Sequence, residues 1–325
     1  MSAACVIGVD LGGTKLLAGA VDDELRVHAR AHRQAAGAGQ AEVMDIVVGA
    51  VEEAREVGGR EVTAVGFGIP SLIDRRQGTS LLSVHLPIDG VPFRDLMAER
   101  LGVPVFVDND ANAAMLAEWR AGAARGVRDA ALLTLGTGIG GGLVVGGAIA
   151  RGARGTGAEL GHMVVDADGP LCQGSCPNRG CLEAVASGTA LVRRAIALAD
   201  ERPDSALGRA RAAGRMITGP LVTELAHDGD EAAREVLEGI GRWLGVGISS
   251  IVNALNPEVV VIGGGVIAAG ELLLAPARAE MEARALPPSR DVVRILPARF
   301  GAESGMVGSA LLALEGMGAR LGRAA

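Results

Sequence analysis

Aromatic residues are scarce in this sequence of 325 residues, which has two tryptophans, four phenylalanines and no tyrosine. Surfaces that bind single-stranded nucleic acids stack bases on aromatic side chains, and this chain has few to offer. An excess of basic charge is also lacking, since 31 Lys and Arg face 38 Asp and Glu and the net charge is −7. Together these deficits argue against a nucleic-acid partner.

A membrane-spanning segment is not expected either. The uncharged stretch 130–150 is long enough to cross a bilayer, but it contains seven glycines. Glycine weakens a helix, and lipid offers no hydrogen-bond partners to an open backbone, so we interpret the stretch as two buried strands joined by a glycine turn. The first residues lack the basic segment of a signal peptide. We therefore expect a cytoplasmic protein with no membrane partner, in a compartment that keeps thiols reduced.

The composition is that of a folded α/β protein. Hydrophobic residues make up 49% of the chain and charged residues 21%, which excludes disorder, and the length predicts about two domains. A strand, glycine turn and strand at 5–21 recur at 131–149, which suggests two duplicated α/β domains. Apolar spacing predicts strands at 62–69, 104–107 and 292–296, a strand with a glycine turn at 258–265, and helices at 41–57, 91–101, 111–124, 230–255, from about 268, and 305–317. Strand–helix alternation indicates a largely parallel sheet with an antiparallel hairpin.

The first glycine turn, Asp10-Leu11-Gly12-Gly13-Thr14-Lys15, follows an apolar strand. Glycines without Cβ atoms let backbone N–H groups close around phosphate oxygens, and Thr14 and Lys15 can also donate to phosphates. Asp10 could hold Mg²⁺ through water. The alternative is an ordinary hairpin turn with an incidental acid, but the full combination of residues favours phosphate binding.

Two later glycine turns extend this pattern. The turn at 136–142 satisfies G-x-G-x-x-G, but a strand rather than a helix follows it, so we reject NAD binding and predict a second phosphate turn. The alternative, a tight hairpin alone, explains one pair of glycines but not five. The turn Gly263-Gly264-Gly265 could let a flat base or ribose rest on the backbone, although such turns are common in α/β proteins.

The segment Asp108-Asn109-Asp110-Ala111-Asn112 lies where a strand ends and a helix begins, which is where open α/β sheets place their ligands. The helix dipole keeps a carboxylate ionised there. An ionised Asp110 could take a proton from a substrate hydroxyl as it attacks phosphorus. We expect one of the two acids to be the N-cap of the helix, but two acids and two amides exceed what a cap requires.

Three of the four cysteines lie within ten residues of one another and follow a histidine. Three thiols and one imidazole can form a closed tetrahedral site, which is the arrangement of structural zinc. The ligands would be His162, Cys172, Cys176 and Cys181. The alternative is free thiols with a core histidine. Zinc would hold an irregular loop and so position Glu159 and Glu183, whose carboxylates can accept from sugar hydroxyls; alternatively, either acid is a solvated surface group.

These motifs, in this order, resemble those of the ROK family of bacterial sugar kinases, and within it the glucokinases most closely. The resemblance covers nearly the whole chain. It rests on DLGGTK at 10–15, VDNDANAA at 107–114, TLGTGIGGG at 134–142, ELGH at 159–162, GCLEAVASG at 180–188 and VIGGGV at 261–266.

The resemblance implies an α/β protein with a duplicated actin/hexokinase-like (ribonuclease H-like) ATPase fold, with two lobes around a cleft. A small lobe would comprise 1–117 and a C-terminal helix at 306–325, and a large lobe 118–305. The implied reaction transfers phosphate from ATP to the 6-hydroxyl of a hexose, with glucose expected first, in a homodimer or homotetramer. Alternatives are a kinase for N-acetylmannosamine, N-acetylglucosamine or fructose, polyphosphate as the donor, and a sugar sensor without catalysis.

Matching positions imply the residue roles. Asp110 would be the catalytic base. The sugar would be bound by Asn109, Asp110, Glu159, His162 and Glu183. The phosphates of ATP, with Mg²⁺ near Asp10, would face Gly12, Gly13, Thr14, Lys15, Thr137 and Gly138, and the adenosine would face Gly263, Gly264 and Gly265. Zn²⁺ would be held by His162, Cys172, Cys176 and Cys181.

The chain departs from the family pattern at three places. His85-Leu86-Pro87-Ile88-Asp89 stands where glucokinases usually have Asn-Leu-Pro-Gly-Trp, and Ser71 stands where a glycine commonly follows Gly-x-Pro. Ser71 and His85 are therefore candidates for choosing the sugar. Three residues separate Cys172 from Cys176 where the family usually has one, which leaves Cys172 open as a ligand. The helix-turn-helix of the family's repressors has no room before Asp10, so we do not expect a repressor.

Overall fold

A computed structural model describes residues 5–13, 15–83 and 86–318. Thr14 and His85 lie outside the described residues, as does the part of the predicted C-terminal helix beyond residue 318. The described strands are β1 (Cys5–Leu11), β2 (Lys15–Val21), β3 (Val27–Gln34), β4 (Val62–Ile69), β5 (Leu72–Asp74), β6 (Thr79–Leu82), β7 (Val105–Asn109), β8 (Ala130–Leu135), β9 (Ile139–Val145), β10 (Ala148–Ile149), β11 (Val259–Gly263) and β12 (Arg294–Pro297). The described helices are α1 (Gln40–Gly58), α2 (Phe93–Leu101), α3 (Asp110–Ala121), α4 (Leu182–Ala186), α5 (Gly188–Glu201), α6 (Ala206–Ala212), α7 (Gly219–His227), α8 (Glu231–Leu255), α9 (Glu271–Arg284), α10 (Ser289–Val292) and α11 (Ser304–Gly316).

The first sheet has the strand order β3-β2-β1-β4-β7. Strand β1 pairs antiparallel with β2 and parallel with β4, and β4 pairs parallel with β7. The central strands β1 and β4 are buried along most of their length, as expected for apolar runs that are covered on both faces. Because β1 and β7 run in the same direction, their carboxyl ends, with Asp10 and Asp110, lie at the same edge of this sheet.

The second sheet, β10-β9-β8-β11-β12, repeats the order of the first. Strand β11 lies between β8 and β12 and is parallel to both, while β9 and β10 form an antiparallel hairpin. The predicted duplication is therefore confirmed at the level of strand order. The glycine turns that follow β8 and β11 lie at the ends of neighbouring parallel strands, since Gly263 pairs with Thr134.

The predicted glycine turn at 136–142 is wrong in its second half. Strand β9 begins at Ile139, so Gly140, Gly141 and Gly142 lie within the strand, and the hairpin to β10 turns at Gly146 and Gly147, which have positive φ angles. Gly142 shows why a strand residue here is a glycine. A Cβ atom at this position would lie 2.5 Å from Cβ of Met115 and 2.9 Å from the carbonyl oxygen of Ala111. The sequence pattern predicted a turn at Gly142. In the structure Gly142 lies in a strand, and it must be glycine because α3 packs closely against it.

The remaining elements largely follow the predicted pattern. The predicted long helix is α8, and Asp230 is its N-cap, since its side chain accepts from the backbone N–H of Ala233. The helix predicted from about 268 begins later, because a 3-10 turn at Gly265–Ala269 precedes α9. Sequence reasoning missed β3, the β5–β6 hairpin, and helices α4 to α7 and α10, although α5 has regular apolar spacing at Leu191, Ala195 and Leu198. Among the described helices, none has both the length and the apolar character needed to cross a membrane.

The chain divides into two compact units. The first contains the residues up to Gly126, Gly142–Ala158 and the residues from Arg299 onward, and the second contains Val127–Gly141 and Glu159–Ala298. The segment 142–158 thus groups with the first unit, whereas the sequence prediction placed it in the large lobe. The lobe bounds of the sequence analysis stay a prediction.

The core of the first unit has helices on both faces of its sheet. Apolar side chains of β1 alternate, so that Ile7 and Val9 join a cluster with α1, while Val6 joins a cluster with Ala310 of α11. Helix α11 packs directly on the sheet backbone at two glycines. A Cβ atom at Gly8 would overlap the backbone of α11 at Met306, and one at Gly66 would overlap the backbone at Ser309.

We predict that Gly66→Ala destabilises the first unit, because the new methyl group would collide with the carbonyl oxygen of Ser309, a backbone atom that has no room to move. Overpacking of this kind costs about 1–3 kcal/mol of unfolding free energy. Gly49→Ala is the matched control, since Gly49 lies within α1 with no atom near its absent Cβ, and there alanine should stabilise the helix by about 1 kcal/mol. Urea unfolding of both variants measures the two effects; equal stabilities would contradict this account of the packing.

Candidate active site and metal centre

Asp110 is the first residue of α3, directly after β7. The N-cap is Asn109, whose Oδ1 accepts from the backbone N–H of Ala111 at 2.9 Å and of Asn112 at 3.1 Å. The expectation that one of the two acids caps this helix is therefore wrong, because the amide side chain takes that place. The cap leaves the Asp110 carboxylate in the first turn, where Oδ1 lies 2.8 Å from the N–H of Ala111 and the helix dipole favours its ionised form.

Asp108 has a structural role beside this turn. Its side chain is 2% exposed, and Oδ2 accepts from Nε of Arg151 at 2.7 Å, with Nε of Arg75 at 3.7 Å. Its Oδ1 accepts from the backbone N–H of Asn109 at 2.9 Å. A buried carboxylate needs such partners, and the pair holds the end of β7 in place. Burial lowers the pKa of Arg75, as does its neighbour Arg151, whereas Asp108 raises it. Sequence reasoning missed both arginines, which have no motif around them.

Asp10 lies near the end of β1 with its carboxylate against the start of α11. A Cβ atom at Gly305 would lie 2.5 Å from Cγ of Asp10, so glycine makes room for the acid. Burial, and then the negative charge of Asp110, raises the pKa of Asp10 to about 7. Two neighbouring carboxylates, one of them desolvated, form a donor set that suits a hard divalent cation such as Mg²⁺.

The first glycine turn begins directly after β1. The backbone N–H of Gly12 donates to the carbonyl oxygen of Lys15 at 2.8 Å, which closes the hairpin between β1 and β2. A Cβ atom at Gly12 would lie 3.1 Å from that oxygen. Gly13 lies within the turn, and Lys15 opens β2 with an exposed side chain. The turn is tight and the side chain of its lysine is exposed; phosphate binding by this turn stays a prediction.

The side chain of Ser71 makes hydrogen bonds within the protein. Its buried hydroxyl lies 2.6 Å from Oγ of Ser80 and 2.9 Å from the carbonyl oxygen of Leu82. These bonds tie the chain after β4 to the β5–β6 hairpin. The carbonyl oxygen of Ser71 accepts from Nδ2 of Asn109 at 3.4 Å, so the segment also lies beside the start of α3. A direct role of Ser71 in sugar binding stays a prediction.

Glu183 links the second glycine turn to the cysteine cluster. Its carboxylate is buried, and Oε2 accepts from the backbone N–H of Ile139 at 2.8 Å. A Cβ atom at Gly138 would overlap this carboxylate, so the close approach requires glycine there. On the other side, Sγ of Cys172 lies 3.7 Å from Oε1 of Glu183. The turn, Glu183 and the cysteine loop therefore form one connected structure.

The third glycine turn lies beside the end of β8. Gly264 has a φ of 82° and its absent Cβ would lie 2.5 Å from the backbone nitrogen of Leu135. Gly263 ends β11, and Gly265 opens the following 3-10 turn. The second and third turns therefore lie side by side in the second unit, at the ends of the parallel strands β8 and β11.

The structure brings the four predicted metal ligands together. One ligand atom from each of His162, Cys172, Cys176 and Cys181 lies within 4.8 Å of the others. Nδ1 of His162 is 3.6 Å from Sγ of Cys172, and the Sγ atoms of Cys176 and Cys181 are 3.9 Å apart, with no disulfide. Cys172, which the sequence left open, therefore belongs to the cluster despite its unusual spacing.

The chemistry of this cluster suits zinc. Burial raises the pKa of the thiols of Cys172 and Cys181. A divalent cation would reverse this effect, because a metal-bound thiol loses its proton. Three thiols and one imidazole whose ligand atoms lie this close together are a typical structural zinc set. Glu159 precedes the 3-10 turn that carries His162, and its side chain is exposed.

The raised pKa of Asp10 gives a testable pH dependence. Its folded-state pKa of about 7 exceeds the ordinary value of 3.8, so the folded protein keeps a proton that the unfolded chain releases. The resulting stability is fully present below pH 3.8 and is lost as the pH rises through about 7. Without added Mg²⁺, we expect the unfolding free energy of the wild type to fall over this range relative to Asp10→Asn. Urea unfolding at several pH values measures the difference. If the unfolding free energies of the two proteins changed in parallel with pH, the pKa of Asp10 would not be raised.

Comparison with known proteins identifies the relatives of this chain. The ROK family model matches residues 6–316. The chain is 35% identical to a glucokinase of Streptomyces coelicolor over 95% of its own length and 97% of that protein. It is 36% identical to a glucokinase of Thermotoga maritima, over 96% of this chain and 98% of that one.

A solved structure shows the same fold. The ROK family glucokinase of Streptomyces griseus, in complex with glucose and AMPPNP, superposes with a TM-score of 0.88 at 36% identity, covering 96% of this chain and 99% of that one. The expected duplicated actin/hexokinase-like fold is therefore confirmed. By its sequence and its fold, this chain belongs to the ROK family.

Proposed function

We propose that this chain phosphorylates the 6-hydroxyl of a hexose, with glucose as the preferred sugar and ATP as the donor. The observation that supports this most directly is the position of Asp110, an acid in the first turn of α3 at the edge of the sheet where Asp10 also lies. The relatives that match the chain over nearly its full length are glucokinases, and one of them binds glucose and an ATP analogue.

Asp110 is the proposed catalytic base. Its carboxylate takes the proton of the 6-hydroxyl as that oxygen attacks the γ-phosphorus, and the bond from phosphorus to the ADP oxygen breaks. The helix dipole of α3 keeps the carboxylate ionised before the reaction. Asn109, which the fold uses as a cap, has an amide group beside the same position, and we propose that it also contacts the sugar.

The other sugar contacts come from Glu159, His162 and Glu183. His162 presents Nδ1 to the cysteine cluster, which leaves Nε2 for a sugar hydroxyl. Glu183 uses Oε2 on the turn, and a carboxylate oxygen has two lone pairs, so it can still accept from a hydroxyl. Bidentate acceptors of this kind recognise neighbouring hydroxyl groups.

The glycine turns form the proposed nucleotide site. Gly13, Thr14, Lys15, Thr137 and Gly138 would bind phosphate oxygens through N–H and side-chain donors, while Gly12, whose own N–H closes the hairpin, would let the backbone approach them closely. The turn Gly263–Gly265 would face the adenosine. Mg²⁺, held through water near Asp10, would offset the charge that develops on the phosphoryl oxygens. Exclusion of water from the reacting groups would prevent hydrolysis of ATP.

Zinc, held by His162 and the three clustered cysteines, is proposed as a structural ion. It would hold the loop that positions Glu183 and would fix the orientation of the imidazole ring. All four cysteines of the chain are free, as expected in a reducing compartment, and we propose that the protein works in the cytoplasm. The homodimer or homotetramer that the family resemblance implies stays a prediction.

A coupled assay of ADP release across a panel of hexoses tests the proposed reaction. We expect glucose to have the highest kcat/KM, and a higher value for N-acetylmannosamine, N-acetylglucosamine or fructose would reassign the sugar. Asp110→Asn should lower kcat by about 100- to 10,000-fold, because the amide cannot accept the proton, while glucose binding is retained. Near-normal turnover in this variant would remove Asp110 from the mechanism.

The same assay distinguishes the rival functions. Replacing ATP by polyphosphate compares the two donors directly. Sugar binding without turnover of either donor would favour a sugar sensor built on the kinase fold. The intact acid at Asp110 and the intact glycine turns argue against a sensor, since such a protein could lose them without consequence.

For the zinc site, metal analysis of the purified protein should find about one zinc per chain. Cys181→Ser should lower the zinc content, the melting temperature and the affinity for glucose, because the loop loses a ligand. Cys5→Ser is the matched control, since Cys5 is a buried thiol of β1 outside the cluster, and it should leave the zinc content unchanged. Full activity and stability in a zinc-free protein would contradict the assignment.

A further inference from the structure

The carbonyl oxygens of the second glycine turn all accept hydrogen bonds from the protein. The oxygen of Gly138 accepts from the N–H of Gly136 at 2.9 Å, and the oxygen of Gly136 accepts from the N–H of Gly188 at 2.8 Å. The oxygen of Thr137 has two donors, Oγ1 of Thr189 at 2.8 Å and Nε2 of Gln173 at 3.2 Å. The oxygens of Gly136 and Thr137 are therefore held toward α5 and the cysteine loop.

The directions in which these oxygens are held also fix the directions of the N–H groups of the next residues. In a planar trans peptide the C=O and the next N–H point in opposite directions. Holding the oxygen of Gly136 thus aims the N–H of Thr137 outward, and holding the oxygen of Thr137 aims the N–H of Gly138 outward. Successive N–H groups that point the same way form an anion-binding concavity.

Gln173 reaches this turn from the cysteine loop. It lies directly after Cys172, in the segment between Cys172 and Cys176, which has three residues here where the family usually has one. Its two amide hydrogens have two acceptors, because Nε2 is 3.2 Å from the oxygen of Thr137 and 3.0 Å from Oγ of Ser187. Ser187 is the N-cap of α5. The side chain therefore joins the cysteine loop, the glycine turn and the start of α5.

We propose that Gln173 is a positioning residue for the nucleotide, which acts with Thr189 to hold the Thr137 carbonyl and so directs the Gly138 N–H toward a phosphate group of ATP. This inference rests on the proposed kinase function. The longer segment between Cys172 and Cys176 then contributes to nucleotide affinity through Gln173, separately from the role of the same loop in sugar binding. The turn has two donors for one oxygen, so each can partly replace the other.

The test is calorimetric binding of AMPPNP to Gln173→Met, Thr189→Val and the double variant, each as the full zinc-containing chain. Methionine and valine keep the shape of the side chains but donate no hydrogen bond. We expect each single change to weaken AMPPNP binding about 3-fold, and the double change about 30-fold, more than the product of the two, because the carbonyl then has no donor. KM for ATP should rise in the same order, with kcat changed less.

Three further measurements separate positioning from a general structural role. Glucose binding and zinc content should be unchanged in all variants, and Ser175→Ala, an exposed position in the same loop, should behave as the wild type. Unchanged AMPPNP affinity in the double variant would overturn the inference, as would an equal loss of glucose affinity or a loss of zinc. A wild-type protein that binds no AMPPNP would instead overturn the proposed kinase function, and the inference with it.

Discussion

Close contact between backbones is the constraint on which this structure depends. The chain has few aromatic residues and 49 glycines, and at several of these glycines its elements approach until backbone meets backbone. Helix α11 lies directly on the sheet at Gly8 and Gly66, and α3 packs on β9 at Gly142. The same principle applies at the candidate site, where Gly138 lets a carboxylate reach the turn and Gly264 lets two turns lie side by side. Packing and ligand binding thus use the same property of glycine, the absence of a Cβ atom.

The acids of the candidate site acquire different roles from their surroundings. Asp108 is buried and neutralised by Arg151, so it holds the end of β7 rather than reacting. Asp110, two residues further along the chain, lies in the first turn of α3, where its negative charge is favoured. Asp10 is desolvated beside Asp110 and its pKa is raised, which is consistent with the proposed role of this carboxyl group near a cation. Environment rather than residue type separates Asp110, the proposed base, from its acidic neighbours.

Much of the candidate site could be predicted from the sequence, because its residues lie within short motifs at the ends of strands. Asp10, Asp110 and the glycine turns could be located in this way, since within each sheet the parallel strands bring their carboxyl ends to the same edge. The cysteine cluster could also be predicted from spacing, except that the distance from Cys172 to Cys176 left one ligand open. Local signals failed where partners come from distant segments: Arg151 has no motif, and Gln173 contacts Thr137 across 36 residues of sequence.

The sequence by itself determined the family, the duplicated α/β plan and the chemical groups available, because these depend on short-range patterns of apolar, glycine and acidic residues. Only the tertiary structure decided which groups are used for what. In the structure Asn109 rather than an acid caps the helix, the hydroxyl of Ser71 bonds to the β5–β6 hairpin, and Cys172 lies among the candidate metal ligands. The physical reason is that hydrogen-bond partners, burial and charge depend on distances between segments far apart in the chain, which no local pattern contains.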